Sequence, residues 1–498
     1  MSGPAHLAGD AEPGRRLRAL FLSAEVAPFA KVGGLGDIGA SLPLALQEHG
    51  VDVDVVMPLY GAVDRDVHGV RDAGQLVRVA CGAREEEFGL YRATLRDRVP
   101  VWLLENARLF GGQAVYDDRI DRERFFFFVR AALAFIERLP VPIDVVHAND
   151  WHTSMANVWL AERAGLGETQ PATVLTIHNL AHQGVTDVAY ARELGYEPGM
   201  LLPVERELHP GKINILARGI SASDIVTTVS PRYAIEIQTP DYGAGLDGLI
   251  RSRADDLFGI VNGIDTDALN PATDTRLPAR YSAKQPAGKA ACKRALQEEA
   301  GLARDDRAPV LGIVSRLDRQ KGIDLVVELI TRWRERPLQW ALLGSGEPHW
   351  EQQLAALAAA LPERVAVRIG YDEPLSHRMY AGGDLVLVPS RFEPCGLTQL
   401  YGLRYGAVPL VSSTGGLRDT VVDADPQHLA DGTATGFMFG DIDPGGLGFA
   451  LGRAIDLYAD RAAWRKLRDQ AMRAQVGWGA SAERYAELFG RLVGAATR

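Results

Sequence analysis

Short apolar, β-branched runs recur along this chain, and each gives way to a glycine-containing turn and then to a helical pattern. This alternation demands βαβ units around parallel sheets, because parallel neighbours need a long crossover and a helix covers the sheet face as it crosses. In the first half the runs are 17–23, 51–57, 99–104, 143–147, 173–177 and 225–229; in the second they are 310–315, 339–343, 365–369, 385–389 and 408–412. A polar, proline-containing stretch, 270–286, separates the two sets, and a basic, alanine-rich helical pattern follows it through Ala300. At 498 residues the chain is long enough for two such domains of about 250 residues each. The expected fold class is α/β, with two doubly wound Rossmann-like domains facing a deep cleft. The expected boundaries are a short N-terminal extension over 1–17, a first domain over 18–258, a second over 259–479, and a terminal helix over 480–498 that packs back on the first domain.

Charge narrows the class of partner. Against 64 acidic residues stand 54 Lys and Arg, a net charge of −10 with no basic run, so neither nucleic acid nor an anionic membrane surface is an expected partner. Any anionic ligand must then be held by locally placed cations. The richest apolar stretch, 125–136, is interrupted by Arg130 and falls short of the roughly 18 residues a membrane span needs. The start of the chain has no apolar signal region and carries Asp10 and Glu12, and Cys81, Cys292 and Cys395 are too scattered for a disulfide framework. The expectation is a cytoplasmic protein.

Ligands of doubly wound domains meet the carboxyl ends of the strands, and the motifs stand just after the runs. The first is Lys31-Val-Gly33-Gly34-Leu-Gly-Asp37, in which Gly34, Gly36 and Gly39 fit the GxGxxG spacing of a dinucleotide fold. The acid that would hold a ribose should end the second strand, yet Asp52 and Asp54 begin it. A lysine before the glycines points instead to direct contact with a charged ligand group, while a plain packing turn is the alternative. Only 7 of the 54 cations are lysine, and two of those, Lys31 and Lys321, sit beside glycines in strand-to-helix loops, where a compact point charge suits phosphate or sugar.

In the second half, Arg316 and Lys321 flank a strand-to-helix turn whose dipole already favours an anion, so together they can hold a diphosphate. The alternative is a solvated helix start with surface ion pairs. Gly344 and Gly346 end the next run, but His349 occupies the third glycine position. Glu393 precedes Pro394-Cys395-Gly396-Leu397-Thr398, which places a carboxylate to accept sugar hydroxyls ahead of backbone N–H groups that face phosphate; capping a helix is its other reading. Cys395 reads as a packed thiol rather than a nucleophile. His147, Asp150, His152, His178, Asn179 and His182 cluster after two runs without any zinc spacing, and read as polar contacts to a hydroxylated ligand. Asp441-Ile-Asp443 reads as a turn.

Together these segments, with Asn262-Gly-Ile-Asp265, resemble the starch and glycogen synthase family of glycosyltransferases, bacterial glycogen synthases included, whose architecture is the two-domain glycosyltransferase-B form. The resemblance runs from about Arg18 to the end of the chain. It implies retaining transfer of glucose from ADP-glucose to the non-reducing end of an α-1,4-glucan or glycogen, with no metal and no cofactor. It further implies that Arg316 and Lys321 hold the diphosphate, Lys31 contacts phosphate and sugar, and Glu393 orients the glucosyl ring. His178, Asn179 and Asp150 would line the glucose pocket. Tyr371 would stack on adenine with Asn262 nearby, and Gly33, Gly34 and Cys395 to Thr398 would offer backbone contacts, with Asp37 and Gly344 also in the binding site. Two positions depart from the wider pattern: Tyr401 stands where a second glutamate is common, and Asn149 stands where relatives often show histidine. Asn149 is read as peripheral. The rival readings are a pyridoxal-phosphate-dependent phosphorylase, a catalytically silent glucan-binding protein and a dehydrogenase.

Overall fold

The computed structural model describes residues 15–196 and 202–496, so most of the expected 1–17 extension lies outside the described residues. The chain forms two compact units. The first runs up to Asn262 and regains the chain from Trp478 onward; the second is Gly263–Gly477.

In chain order the strands of the first unit are β1 (Leu17–Leu22), β2 (Val51–Pro58), β3 (Arg71–Cys81), β4 (Arg84–Leu95), β5 (Val99–Glu105), β6 (Val145–Asn149), β7 (Ala172–Ile177), β8 (Val185–Asp187), β9 (Lys212–Asn214), β10 (Ile225–Thr228) and β11 (Leu257–Gly259). Nine of them make one sheet in the order β11-β10-β7-β6-β1-β2-β5-β4-β3, and β8 pairs with β9 separately. β1 lies beside β2 on one side and β6 on the other, both parallel, so the chain reverses its direction of travel across the sheet there. The antiparallel β3 and β4 were not among the expected strands. Their buried residues, Val77, Val79, Cys81, Phe88 and Leu90, alternate with exposed polar ones, so neither strand forms a continuous apolar run.

The second unit holds β12 (Val310–Val314), β13 (Gln339–Gly344), β14 (Val365–Ile369), β15 (Leu385–Val388), β16 (Val408–Ser412) and β17 (Phe437–Phe439). Its sheet, β14-β13-β12-β15-β16-β17, is parallel throughout, and a reversal point falls between β12 and β15. Leu311, Ile313, Trp340, Leu385 and Leu410 from these strands bury against Ile323, Val326, Leu451 and Trp464 from the covering helices. Each such side chain contributes about 1.5–3 kcal/mol on burial, and this holds the helices to the sheet.

The unit boundaries differ by a few residues from those expected at 258/259 and 479/480, because the flanking residues are tied to the first unit. Ile260 N donates to Thr228 O (2.8 Å), Ser481 Oγ donates to Val261 O (2.5 Å) and Trp478 Nε1 donates to Ser41 Oγ (2.7 Å). The last helix, Gly479–Ala496, lays Tyr485 and Phe489 against His147 with ring centroids 5.4 and 5.8 Å apart. Among the described residues no helix is long and apolar enough to cross a membrane.

Candidate active site

The reversal point of a doubly wound sheet opens a crevice, because the loops after its two flanking strands leave toward opposite faces. In the second unit those strands are β12 and β15, and their loops carry the expected cations and carboxylate. Lys321 Nζ donates to Glu393 Oε2 at 2.6 Å, and Ser390 Oγ donates to the same oxygen at 2.8 Å. Glu393 is therefore held as an acceptor by two partners and does not cap the helix that follows it, whose N-cap is Leu397. The two loops are joined elsewhere as well. Arg391 N donates to Gln320 O (2.8 Å), Gln320 Nε2 donates to Phe392 O (3.2 Å), and the Arg391 guanidinium grips both oxygens of Asp324 at 2.7 Å. Gly322 completes the junction: its φ of +73° is left-handed, and a Cβ there would lie 2.2 Å from Pro389 O.

Arg316 stands at the mouth of this loop, its side chain 63% exposed, paired with Asp318 (2.7 Å) and Gln320 (3.0 Å). A solvated cation beside a half-buried one is suited to closing on an anion, since the exposed partner exchanges water and weak ion pairs for the ligand. Cys395 is buried, as expected of a packed thiol. Gln399 Nε2 donates to Cys395 O (3.0 Å) and Gly396 O (2.9 Å), which fixes the turn ahead of the helix beginning at Thr398. Gly344 ends β13 where a Cβ would come within 1.9 Å of Ser315 O, so close backbone approach alone requires glycine there. Tyr371 follows β14 and is 76% exposed.

In the first unit the reversal point falls between β1 and β6, and again the motifs follow those strands. The glycine-rich segment leads into a helix, Gly34–Glu48, with Gly33 at its N-cap. A residue not anticipated from the sequence organises it: buried Glu25 accepts from Val32 N (2.6 Å) and Gly33 N (2.9 Å) through Oε2, and from Tyr116 Oη through Oε1. The Gly33 N–H expected to face a ligand is thus given to an internal carboxylate. Gly39 packs on the same residue, since a Cβ would approach Glu25 O to 2.7 Å, so this third glycine serves helix-to-sheet packing. Lys31 Nζ pairs with Asp37 Oδ1 at 2.7 Å, both side chains about one-third exposed (35% and 32%).

After β6 the helix Asp150–Gly165 begins with Asp150 at φ +54°, a left-handed conformation tolerated best by Asn and Asp among non-glycine residues. The turn aims its carboxylate at the loop after β7, where Oδ1 accepts from His178 N (2.7 Å) and Asn179 N (3.4 Å). Burial pushes the Asp150 carboxyl up to about 7, against the pull of those N–H groups. Burial also lowers His178 to about 3, which keeps it a neutral imidazole.

The histidine cluster splits. His147 bonds Thr176 Oγ1 (2.6 Å) beneath the last helix, and His152 sits among Trp151, Phe125 and Tyr116 at 4.2, 4.7 and 5.0 Å between ring centroids. Both belong to the core, which corrects their reading as ligand contacts: His147 lies within β6 and His152 in the helix after it, and their rings face inward. His182 is exposed. Asn149 is not peripheral either: it is fully buried and bonds His178. Asn262 is buried at the end of the first unit. Asp443 accepts from Gly445 N and Gly446 N (both 2.8 Å) as the N-cap of helix Pro444–Ala459, as its turn reading requires. Among the described residues no group of three or more His, Cys, Asp or Glu is placed to hold a metal ion. Glu25 escaped notice because one carboxylate after a strand carries no motif, although Ser23-Ala-Glu25 directly follows an apolar run.

Comparison with known proteins agrees with this arrangement. Residues 18–252 match the starch synthase catalytic domain, and residues 296–461 match glycosyl transferases group 1. Glycogen synthase 2 of Geobacter sulfurreducens is 42% identical over 480 residues, 95% of this chain and 98% of that protein. The glycogen synthase of an Anaeromyxobacter species is 44% identical over 479 residues, 94% of this chain and 98% of its own length. The catalytic domain of starch synthase IV from Arabidopsis thaliana, solved with ADP and acarbose, superposes with a TM-score of 0.90 at 34% identity, covering 96% of this chain and 100% of that one. Sucrose-phosphate synthase from Thermosynechococcus elongatus covers the same share of this chain at a TM-score of 0.59 and 17% identity, a likeness of fold alone. With paired carboxylate and lysine at one reversal point, a clamped glycine loop at the other, and identity above 40% along nearly its whole length, the chain belongs to the starch and glycogen synthase family of glycosyltransferases.

Proposed function

We propose that this enzyme takes glucose from ADP-glucose and adds it to the non-reducing end of an α-1,4-glucan with retention of configuration, releasing ADP without metal or cofactor. Glucosyl transfer in glycogen biosynthesis follows from the family. The observation that carries the diphosphate-sugar reading is the Lys321–Glu393 contact of 2.6 Å in the loop that also bears Arg316, and the ADP bound in the starch synthase IV structure supports the choice of nucleotide. Arg316 and Lys321 take the two phosphates as the bond to the sugar lengthens, and the charge that develops on the leaving diphosphate is met by donors already in place. Glu393, released from its lysine as the phosphates arrive, accepts hydroxyl hydrogens of the ring. Retention follows if the departing phosphate oxygen takes the acceptor's proton on the same face, because His178 is too weak a base and Asp150 already accepts two N–H groups. We assign the reaction to the cytoplasm, which fits three buried free thiols.

The test is incorporation of labelled glucose into glycogen from ADP-glucose and UDP-glucose in parallel, with EDTA throughout. Transfer that prefers ADP-glucose and survives EDTA is expected. A preference for UDP-glucose overturns the donor, and inhibition by EDTA overturns the metal-free mechanism. Lys31→Ala is expected to raise the donor KM about tenfold or more with a smaller change in kcat, since its charge meets the donor before and after bond breaking alike. An unchanged KM in steady-state kinetics assigns Lys31 to the loop's structure alone.

A further inference from the structure

We propose that Asn149 is a positioning residue that fixes the tautomer of His178, so that Nδ1 offers a lone pair to a hydroxyl of the transferred sugar. The argument rests on donors and acceptors. Asn149 Nδ2 lies 2.9 Å from Leu22 O, with His147 O at 3.4 Å. Backbone carbonyls only accept, so the atom facing them is the amide nitrogen and its neighbour is the oxygen. That oxygen lies 2.8 Å from His178 Nε2, and it too only accepts. Nε2 must therefore carry the ring proton, and in a neutral imidazole Nδ1 is left as an acceptor.

Nδ1 exposes almost no surface and has no partner among the described residues. Nδ1 of His147 and of His152 is unpartnered too, but those rings are enclosed in the core, whereas His178 is only partly buried, in the loop beyond a strand end, where a ligand can supply the missing group. A second contact fixes the residue from its backbone side: His178 N donates to Asp150 Oδ1 at 2.7 Å. The ring is thus held at Nε2 by Asn149 and at the main chain by Asp150, with Nδ1 the one polar atom of the residue's side chain left over. The ligand hydroxyl is a donor in this contact, so a sugar bearing fluorine at that carbon loses it. The inference deepens the proposed reaction and depends on it for the sugar.

The tautomer is read in the ligand-free enzyme by ¹⁵N NMR of labelled histidines, with His178 assigned by its loss in His178→Gln. A protonated Nε2 and an unprotonated Nδ1 from pH 5 to 8 are expected. Asn149→Asp keeps the volume and the acceptor, gives up the Nδ2 donor to Leu22 O, and adds a negative charge beside the ring, which favours the doubly protonated imidazolium and turns Nδ1 into a donor. Its donor kcat/KM is expected to fall tenfold or more below the wild-type value at pH 6 and to recover toward it as pH rises, the Asp150 carboxyl titrating near 7 in both enzymes. Proton on Nδ1 in the wild-type spectrum overturns the tautomer assignment. A wild-type pH profile in a folded Asn149→Asp enzyme overturns the sugar contact. Absence of glucosyl transfer by the wild type, with the expected spectrum, overturns the proposed reaction and leaves the tautomer standing.

Discussion

Lys321→Ala is expected to lower kcat by roughly two to four orders of magnitude, the range seen when a preorganised donor to a developing charge is removed. The lysine is held on both sides. Its N–H donates to Asp318 Oδ1 at 2.9 Å, and its ammonium lies 2.6 Å from Glu393. Only the contact with Glu393 is exchanged for phosphate, and the backbone that carries the lysine stays in place as the diphosphate departs. Arg316→Ala is expected to act in the same direction, because the exposed guanidinium gives up only Asp318 and Gln320 to reach the phosphates. Lys321→Arg keeps the charge but not the compact geometry at Glu393, and should fall between wild type and alanine. Since Lys321 and Glu393 touch, the double variant Lys321→Ala with Glu393→Gln should cost little more than the worse single one. Rapid-quench or steady-state kcat values decide the matter: near-normal turnover in both Lys321→Ala and Arg316→Ala removes the diphosphate role, and full additivity in the double variant separates the two residues.

Asp150→Ala is expected to cut kcat/KM by about a hundredfold and to destabilise the first unit by about 2–4 kcal/mol, because two backbone donors lose their acceptor and alanine must adopt a left-handed φ. Both losses strike the turn that places His178 and Asn179. Asp150→Asn separates charge from geometry. The folded carboxyl, at about 7, stands above the ordinary value of about 3.9. Between those values the folded chain holds a proton that the unfolded chain has released, so wild-type stability falls as pH rises through the window from about 4 to 7. Asparagine does not titrate. The variant should therefore gain on the wild type across that window, by up to about 4 kcal/mol from a shift of roughly three units at 1.36 kcal/mol each. Denaturant midpoints at pH 4, 5, 6, 7 and 8 measure the difference. A difference that stays flat over that range sinks the assignment of a buried, protonatable carboxyl.

Periodicity determined the class of fold. Continuous apolar runs between glycine turns are what strands buried on both faces require, and all eleven expected runs correspond to strands of the two large sheets, which are parallel except at the β5-β4-β3 edge of the first. Local chemistry also made the loop residues legible, since Lys321 and Glu393 directly precede a glycine and a proline, Lys31 stands two residues before Gly33, and Arg316 lies in the same strand-to-helix turn as Lys321. The β3–β4 hairpin was not legible, because alternating exposure dilutes its apolar residues with charged ones. Neither was the division of labour among the histidines: His147, His152 and His178 all stand at or just beyond the carboxyl end of an apolar run, and only packing turns two of them into the aromatic core and leaves the third beside Asn149. Glu25 and Lys31 are six residues apart, yet the carboxylate, not a ligand, holds Val32 and Gly33. Residue type and spacing determined which groups this chain brings to its strand ends. Which of those groups face each other, and which protons they can then share, was decided by the tertiary fold, because hydrogen bonds join atoms set by backbone geometry across wide gaps in sequence, 72 positions for Lys321 and Glu393 and 127 for Asn149 and Leu22.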